Sequence, residues 1–294
     1  MENVYQMVTD RIVAQMQKGI IPWQKPWTVS GSAEDVAINF VSRRPYSFVN
    51  QMLLGKPGEW LSWKQIGELG GKVKKGAKAG MVVFYKSLVI KDPTRKVKDE
   101  EGNEVDATKV IPLLKYYNVF HLSDVEGIDS KIVKGERTST LEPVEDAERV
   151  ISEYVEREDG LTFICDQESD RAYYSPSEDK VVVPRISQYG IVEEYYSTTF
   201  HELVHSTLKE SRCNRESENA NSFFGNENYS REELVAEMGS AMLCNKIGIE
   251  GKKAFKNSVA YIQGWLKELR NDNHMIVWAA SRAEKAAKYI LNEA

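Results

Sequence analysis

Cysteine is scarce in this sequence. The 294 residues contain three, Cys165, Cys213 and Cys244, too widely spaced for a disulfide framework or a Cys-x-x-Cys zinc site. Long apolar runs are missing too: none approaches the roughly 18–20 residues that span a bilayer. The first 19 residues carry acidic side chains and no apolar core of a signal peptide. Repeats and low-complexity tracts are absent. These absences exclude a small secreted scaffold, a membrane-spanning chain and a disordered tail. They lead to the expectation of a cytoplasmic protein with no membrane partner, long enough for roughly two domains and needing no metal merely to fold.

What is present is unevenly distributed. The net charge of −5 conceals a basic start, because residues 1–91 hold 13 Lys and Arg against 6 Asp and Glu. Four of the six tryptophans, Trp23, Trp27, Trp60 and Trp63, fall in the same stretch. The remainder is acidic, with 26 basic against 38 acidic residues. Such asymmetry fits a nucleic-acid-facing module, or equally a basic surface over a tryptophan-containing core.

Periodicity predicts an amphipathic helix over residues 4–18, stopped by Gly19. The Ile21-Pro-Trp-Gln-Lys-Pro-Trp27 segment cannot be helix interior, because Pro26 blocks it. Short helices are expected at 48–54 and 62–69, and paired strands at 81–90 and 110–122 around a mobile polar tip at 92–109. Residues 129–140 are polar and aperiodic, so the linker is placed at 131–142, between domains at 1–130 and 143–294. The second domain reads as a helix at 144–158, a strand at 161–165, a hairpin over 171–183, and helices at 192–209, 231–247, 252–272 and 274–292. A small sheet followed by helices is an α+β pattern.

The sharpest motif is His201-Glu202-Leu203-Val204-His205, an H-E-x-x-H. On a helix, residues four apart share a face, so both imidazoles can meet one cation, and Glu202 sits where a general base is needed. A catalytic zinc site wants three protein ligands and an open position. No other histidine is well placed, so the third ligand is expected to be a carboxylate. The segment 229–244 offers Glu233 and Glu237 on one narrow face of an otherwise apolar helix, and two buried carboxylates need a cation or hydrogen-bond donors. The simple assignment makes Glu233 the ligand and Glu237 the acceptor for a ligating histidine's free ring N–H. Glu232 is a substitute ligand, and Ser230-x-x-Glu233 also reads as a capping box. Tyr229 reads either as an electrophilic helper or as a core tyrosine. With Zn2+ bound, or another divalent metal such as Mn2+, the expected chemistry is hydrolysis of a peptide or related amide, with Glu202 moving the proton. A strand at 180–183, if it lies at a sheet edge, would hold an extended substrate by β-augmentation.

The order of motifs resembles the ArdC-type antirestriction proteins of conjugative plasmids and related mobile elements. The similar pieces are Ile21 to Trp27, Asn39-Phe-Val-Ser-Arg-Arg-Pro-Tyr46, Trp63-Lys-Gln65 through Gly76, Val82-Val-Phe-Tyr85 and Tyr117-Asn-Val-Phe120. They continue with Phe200 through His205, Tyr229 through Glu237, and Ala260-Tyr-Ile-Gln-Gly-Trp-Leu266. The resemblance implies a single-stranded DNA-binding domain joined to a zincin-like metallopeptidase domain, with His201, His205 and Glu233 on the metal and Glu202 as base. It also implies a role in protecting incoming DNA from restriction. Ser206 through Arg212 departs from the Gly-His expected in many relatives. Single-strand binders combine a basic groove with aromatic platforms. The candidates are Trp23, Trp27, Tyr46 and Trp63, with Lys25, Arg43, Arg44, Lys72, Lys74, Lys75 and Lys78.

Overall fold

The computed structural model describes residues 3–24, 36–98, 104–132, 143–215, 227–249 and 259–293. In chain order its first half holds α1 (Val4–Met16), β1 (Ala37–Asn39), α2 (Phe48–Leu54), β2 (Gly58–Ser62), α3 (Trp63–Glu68), β3 (Lys72–Val73), β4 (Gly80–Lys98), β5 (Glu104–His121) and β6 (Val125–Glu126). The second half holds α4 (Pro143–Arg157), β7 (Thr162–Ile164), β8 (Tyr173–Ser175), β9 (Lys180–Val182), α5 (Val192–Ser206), α6 (Glu227–Ile247), α7 (Val259–Asn271) and α8 (Met275–Ile290). The architecture is α+β, as the pattern of elements predicts.

Local chemistry sets several boundaries. The Asn3 side chain accepts the Tyr5 N–H at 3.1 Å and opens α1. Ser62 and Gln65 form a reciprocal capping box at the start of α3. Gly55, at φ 61°, ends α2 in the left-handed region that favours glycine. Within the expected non-helical segment Pro22–Gln24 forms a single 3-10 turn, and residues 25–27 lie outside the described residues.

The first sheet runs β1-β2-β5-β4, parallel only between β1 and β2. The expected mobile tip at 92–109 is instead mostly ribbon. Pairing continues to Lys98 and Glu104, interrupted by a register shift between Asp92 and Lys96. Ribbon faces that are both open to water tolerate the polar residues that suggested a loop. The expected turn at 101–103 lies outside the described residues.

The second sheet has the order β7-β9-β8. This corrects one expectation: β9 is the central strand, its backbone already paired with β7 and β8, so it cannot take an added strand.

The largest core does not divide at the linker. Val8, Ile12, Met16, Trp23, Phe48 and Met52 pack in one cluster with Phe200, Leu203, Leu234, Met238, Ile276 and Ala283. The α1 side chain Thr9 donates to the Asn273 carbonyl at 3.0 Å, and Tyr5 stacks on His274 at 3.8 Å. The Glu284 carboxylate on α8 accepts the Phe48 N–H at the start of α2, at 3.1 Å.

Helices α5 and α6 meet closely where α6 has Gly239. A Cβ there would lie 2.8 and 3.0 Å from the two Cγ atoms of Val204, which is fully buried and cannot yield. Gly239→Val is therefore expected to cost about 3 kcal/mol through overpacking. Chemical denaturation checks this, and an unchanged midpoint would mean that the two helices separate freely.

Candidate metal centre

α5 places His201 and His205 one turn apart, with Phe200, Leu203 and Val204 buried on its other side. Apolar packing thus fixes the face on which the imidazoles emerge. α6 brings Glu233 opposite them. The His201 and His205 Nε2 atoms are 3.1 Å apart. Glu233 Oε2 is 3.5 Å from His201 Nε2, and its Oε1 is 3.4 Å from His205 Nε2. Donors about 2.0–2.1 Å from a tetrahedral ion lie about 3.3–3.4 Å from each other. The three donor separations straddle that value, so the residues fit one divalent cation. Together they are the group of metal-capable side chains found among the described residues.

The electrostatics point the same way. Burial alone pushes His201 and His205 down. The carboxylates overcome it, Glu233 raising His201 while Glu232 and Glu233 carry His205 to about 10. Burial would raise Glu233, but His201 and His205 hold it well below the usual carboxylate range. The carboxylates thus favour positive charge at this point. Glu202 is buried beside it, and its charge also favours the protonated forms of both imidazoles.

His205 Nδ1 faces Glu232 Oε1 at 3.5 Å, so this carboxylate stands behind that ring. Glu237 stands near enough to His201 for its charge to favour the imidazolium. Glu232 is in turn gripped by buried Arg215, whose Nη2 donates to Oε1 at 2.7 Å and whose Nε donates to Oε2 at 3.2 Å. Arg215 also donates to the Val204 carbonyl and to Thr207 Oγ1, at 3.1 and 2.9 Å. No motif spacing marks Arg215. The only hint is that buried carboxylates on α6 require a cation. The capping-box alternative for Glu233 falls away, because α6 already runs from Glu227 and Ser230 is interior. The Tyr229 side chain lies outside the described residues.

The segment after the motif forms a second buried network. Arg212 Nη1 and Nη2 donate to the two Asp179 oxygens at 2.8 Å each, and its Nε donates to Glu158 at 2.9 Å. Lys209 and the Tyr174 hydroxyl also donate to Asp179, at 2.6 and 2.9 Å. The residues that replace the expected Gly-His thus lash the β8–β9 turn to the end of α5.

The DNA-binding candidates scatter. Trp23 is fully buried in the largest core, edge-on to Trp265 at 6.3 Å. This corrects its reading as a stacking platform: the indole is packed inside the core and offers no face to a base. Arg43 is committed to the buried Glu59, which Ser130 and the Lys131 N–H also hold. Tyr46 is half-buried and accepts from Asn39 at 3.3 Å. Trp63 is 67% exposed. Arg44, Lys72, Lys74, Lys75 and Lys78 are exposed. Lys25 and Trp27 lie outside the described residues. Sequence reasoning missed the open side chains of the β4–β5 ribbon, because residues 81–90 read as an ordinary apolar strand.

Residues 2–120 match the family described as the N-terminal domain of anti-restriction factor ArdC. Residues 155–282 match the zincin-like metallopeptidases. Over nearly the whole chain the structure is similar to the metal-free crystal structure of the antirestriction protein ArdC from plasmid R388. The TM-score is 0.70 and the identity 30%, over 99% of this chain and 98% of that one. The Mn(II)-bound structure of that protein gives the same TM-score of 0.70 at 28% identity. Two DNA primases TraC of Escherichia coli are each 30% identical over 98% of the chain, which spans 20% and 27% of their lengths. The protein y4eC of Sinorhizobium fredii is 28% identical, and the chain spans 91% of it. No helix among the described residues is long and apolar enough to cross a membrane.

Proposed function

The chain belongs to the ArdC antirestriction family, and from its site geometry we propose that it binds single-stranded DNA and holds a divalent metal at His201, His205 and Glu233 for hydrolysis of a peptide or related amide. The observation that carries the metal reading is the convergence of three donor atoms within 4.8 Å of one another, with Glu202 buried alongside. Zn2+ suits two imidazoles and a carboxylate, and Mn2+ is compatible with the same donors.

A divalent cation at these ligands supplies polarisation of a carbonyl and acidification of a water. The chain's own residues do the rest. Glu202 takes the proton of the attacking water and returns it to the leaving nitrogen. Glu232 accepts from His205 Nδ1–H and so leaves Nε2 as the donor atom that faces His201 and Glu233. Arg215 fixes Glu232. The carboxylate beside the ligands favours a catalytic over a purely structural site, because a structural site has no use for a base.

The DNA reading is supported by the basic first 91 residues, the exposed Trp63 and the exposed Lys72 to Lys78 segment. Its protective role follows from family membership.

Metal analysis of the purified protein tests the site. About one divalent ion per chain is expected, and none in His205→Ala. Glu232→Gln is expected to weaken the metal by about 10–100-fold without abolishing it, as loss of an orienting partner does. Full occupancy in a His201→Ala, His205→Ala double variant would sink the assignment.

A further inference from the structure

Beyond the sheet's root, β4 and β5 continue as a two-stranded ribbon. Cross-strand partners lie on the same face, and faces alternate along each strand. The register pairs Phe84 with Lys115, Lys86 with Leu113, Leu88 with Ile111, Ile90 with Lys109, and Val82 with Tyr117. These ten positions form one face, which carries three lysines and two aromatic rings, with Asp92 next along it at the outer end. The other face, paired as Tyr85 with Leu114, Ser87 with Pro112, Val89 with Val110 and Lys91 with Thr108, carries a single lysine.

Beyond Val82, which is buried at its root, the lysine-bearing face is open. Phe84 is 42% exposed, Leu88 45%, Leu113 42% and Tyr117 38%, and all three lysines are exposed. Phe84 and Tyr117 meet edge to face with centroids 5.7 Å apart, a contact that engages one π-face of the pair and leaves the others. Three of the pairs that make up the face set a lysine across from an apolar side chain. Apolar platforms flanked by fixed positive charge match a strand whose bases are unpaired and whose backbone is anionic. Lys78 of the basic loop precedes β4 by two residues.

We infer that this face, with Phe84 and Tyr117 as stacking platforms and Lys86, Lys109 and Lys115 as phosphate contacts, is the surface along which single-stranded DNA lies. The inference rests on the single-strand-binding reading above and gives it a location. It moves the aromatic contribution from the buried Trp23 to the ribbon.

The test uses the full chain and a labelled thymidine oligonucleotide about 16 nucleotides long, titrated by fluorescence anisotropy at several salt concentrations. Phe84→Ala is expected to weaken binding by about 5- to 150-fold with an unchanged salt dependence. The triple variant Lys86→Ala, Lys109→Ala, Lys115→Ala is expected to flatten the log–log salt slope by about 2, at about 0.7 per phosphate. Circular dichroism and metal content serve as folding controls. A second triple variant, Lys72→Ala, Lys74→Ala, Lys75→Ala, separates the location from the activity. If it abolishes binding while both ribbon variants match the wild type, single-strand binding stands and the ribbon assignment is overturned. Absence of binding by the wild type overturns both. Equal affinity for a duplex of the same length overturns the stacking role, because paired bases do not offer their faces.

Discussion

Glu202→Gln is expected to cut amide hydrolysis by about 100- to 10,000-fold, the usual contribution of a general base, while the metal stays bound. Gln keeps the shape and burial of Glu202 and removes the group that takes the proton, whereas the three donor atoms are untouched. Metal analysis and a hydrolysis assay on the same preparation separate the two effects. Loss of both would make Glu202 a ligand rather than a base. The same variant divides two accounts of protection. The second half of the chain is acidic and repels a phosphate backbone from most of its surface. If protection is occupancy of the strand, Glu202→Gln binds DNA and shields it from restriction as the wild type does, which is the outcome we expect. A transfer assay into restricting and non-restricting recipients reads this out. Loss of protection with DNA affinity unchanged would mean that the protein acts by cutting a host or DNA-bound protein.

The largest stability loss is expected from Asp179. Burial opposes its charge, but Arg212, Lys209 and the Tyr174 hydroxyl hold its carboxyl at about 2, below the ordinary 3.8. Breaking such a buried pair costs about 3–5 kcal/mol, a large share of the about 5–15 kcal/mol that separates folded from unfolded chains. Asn is the informative replacement. Asp179 sits at φ 47°, a conformation Asn also tolerates, so Asp179→Asn removes the charge without adding backbone strain. Because the folded pKa is depressed, the stabilisation is present above about pH 4 and disappears as pH falls toward about 2. Urea denaturation across that range should show the wild type losing stability that the variant never had. Parallel acid dependence in the two proteins would remove Asp179 from the account.

Much of the fold could be read from the chain because its signals are local. Helical periodicity over α1, α4, α5 and α8 and the Pro176-to-Asp179 turn between β8 and β9 each depend on neighbours in sequence. So does the H-E-x-x-H spacing, which needs only one helix. The Glu233 assignment needed a second helix, and the wheel supplied its face. Interactions that cross the chain were out of reach. The partner of His205 Nδ1 is decided by Arg215, which lies 17 residues before Glu232 and pulls that carboxylate inward. Whether Trp23 is platform or packing is decided by Trp265. The place of β9 at the centre of its sheet depends on β7 pairing in parallel, which alternation of side chains does not report.

The undivided core has an evolutionary reading. A recombination breakpoint at the linker would separate Val8, Ile12 and Trp23 from Leu234 and Ile276, leaving two raw apolar surfaces where one interior had been. Selection then preserves the segment only when it is exchanged whole. The TraC primases are consistent with that reading: they carry a counterpart to 98% of this chain inside proteins about four to five times as long. Strand handling and hydrolytic chemistry would in that case travel between mobile elements as a single heritable unit, whichever of the two the recipient first had use for.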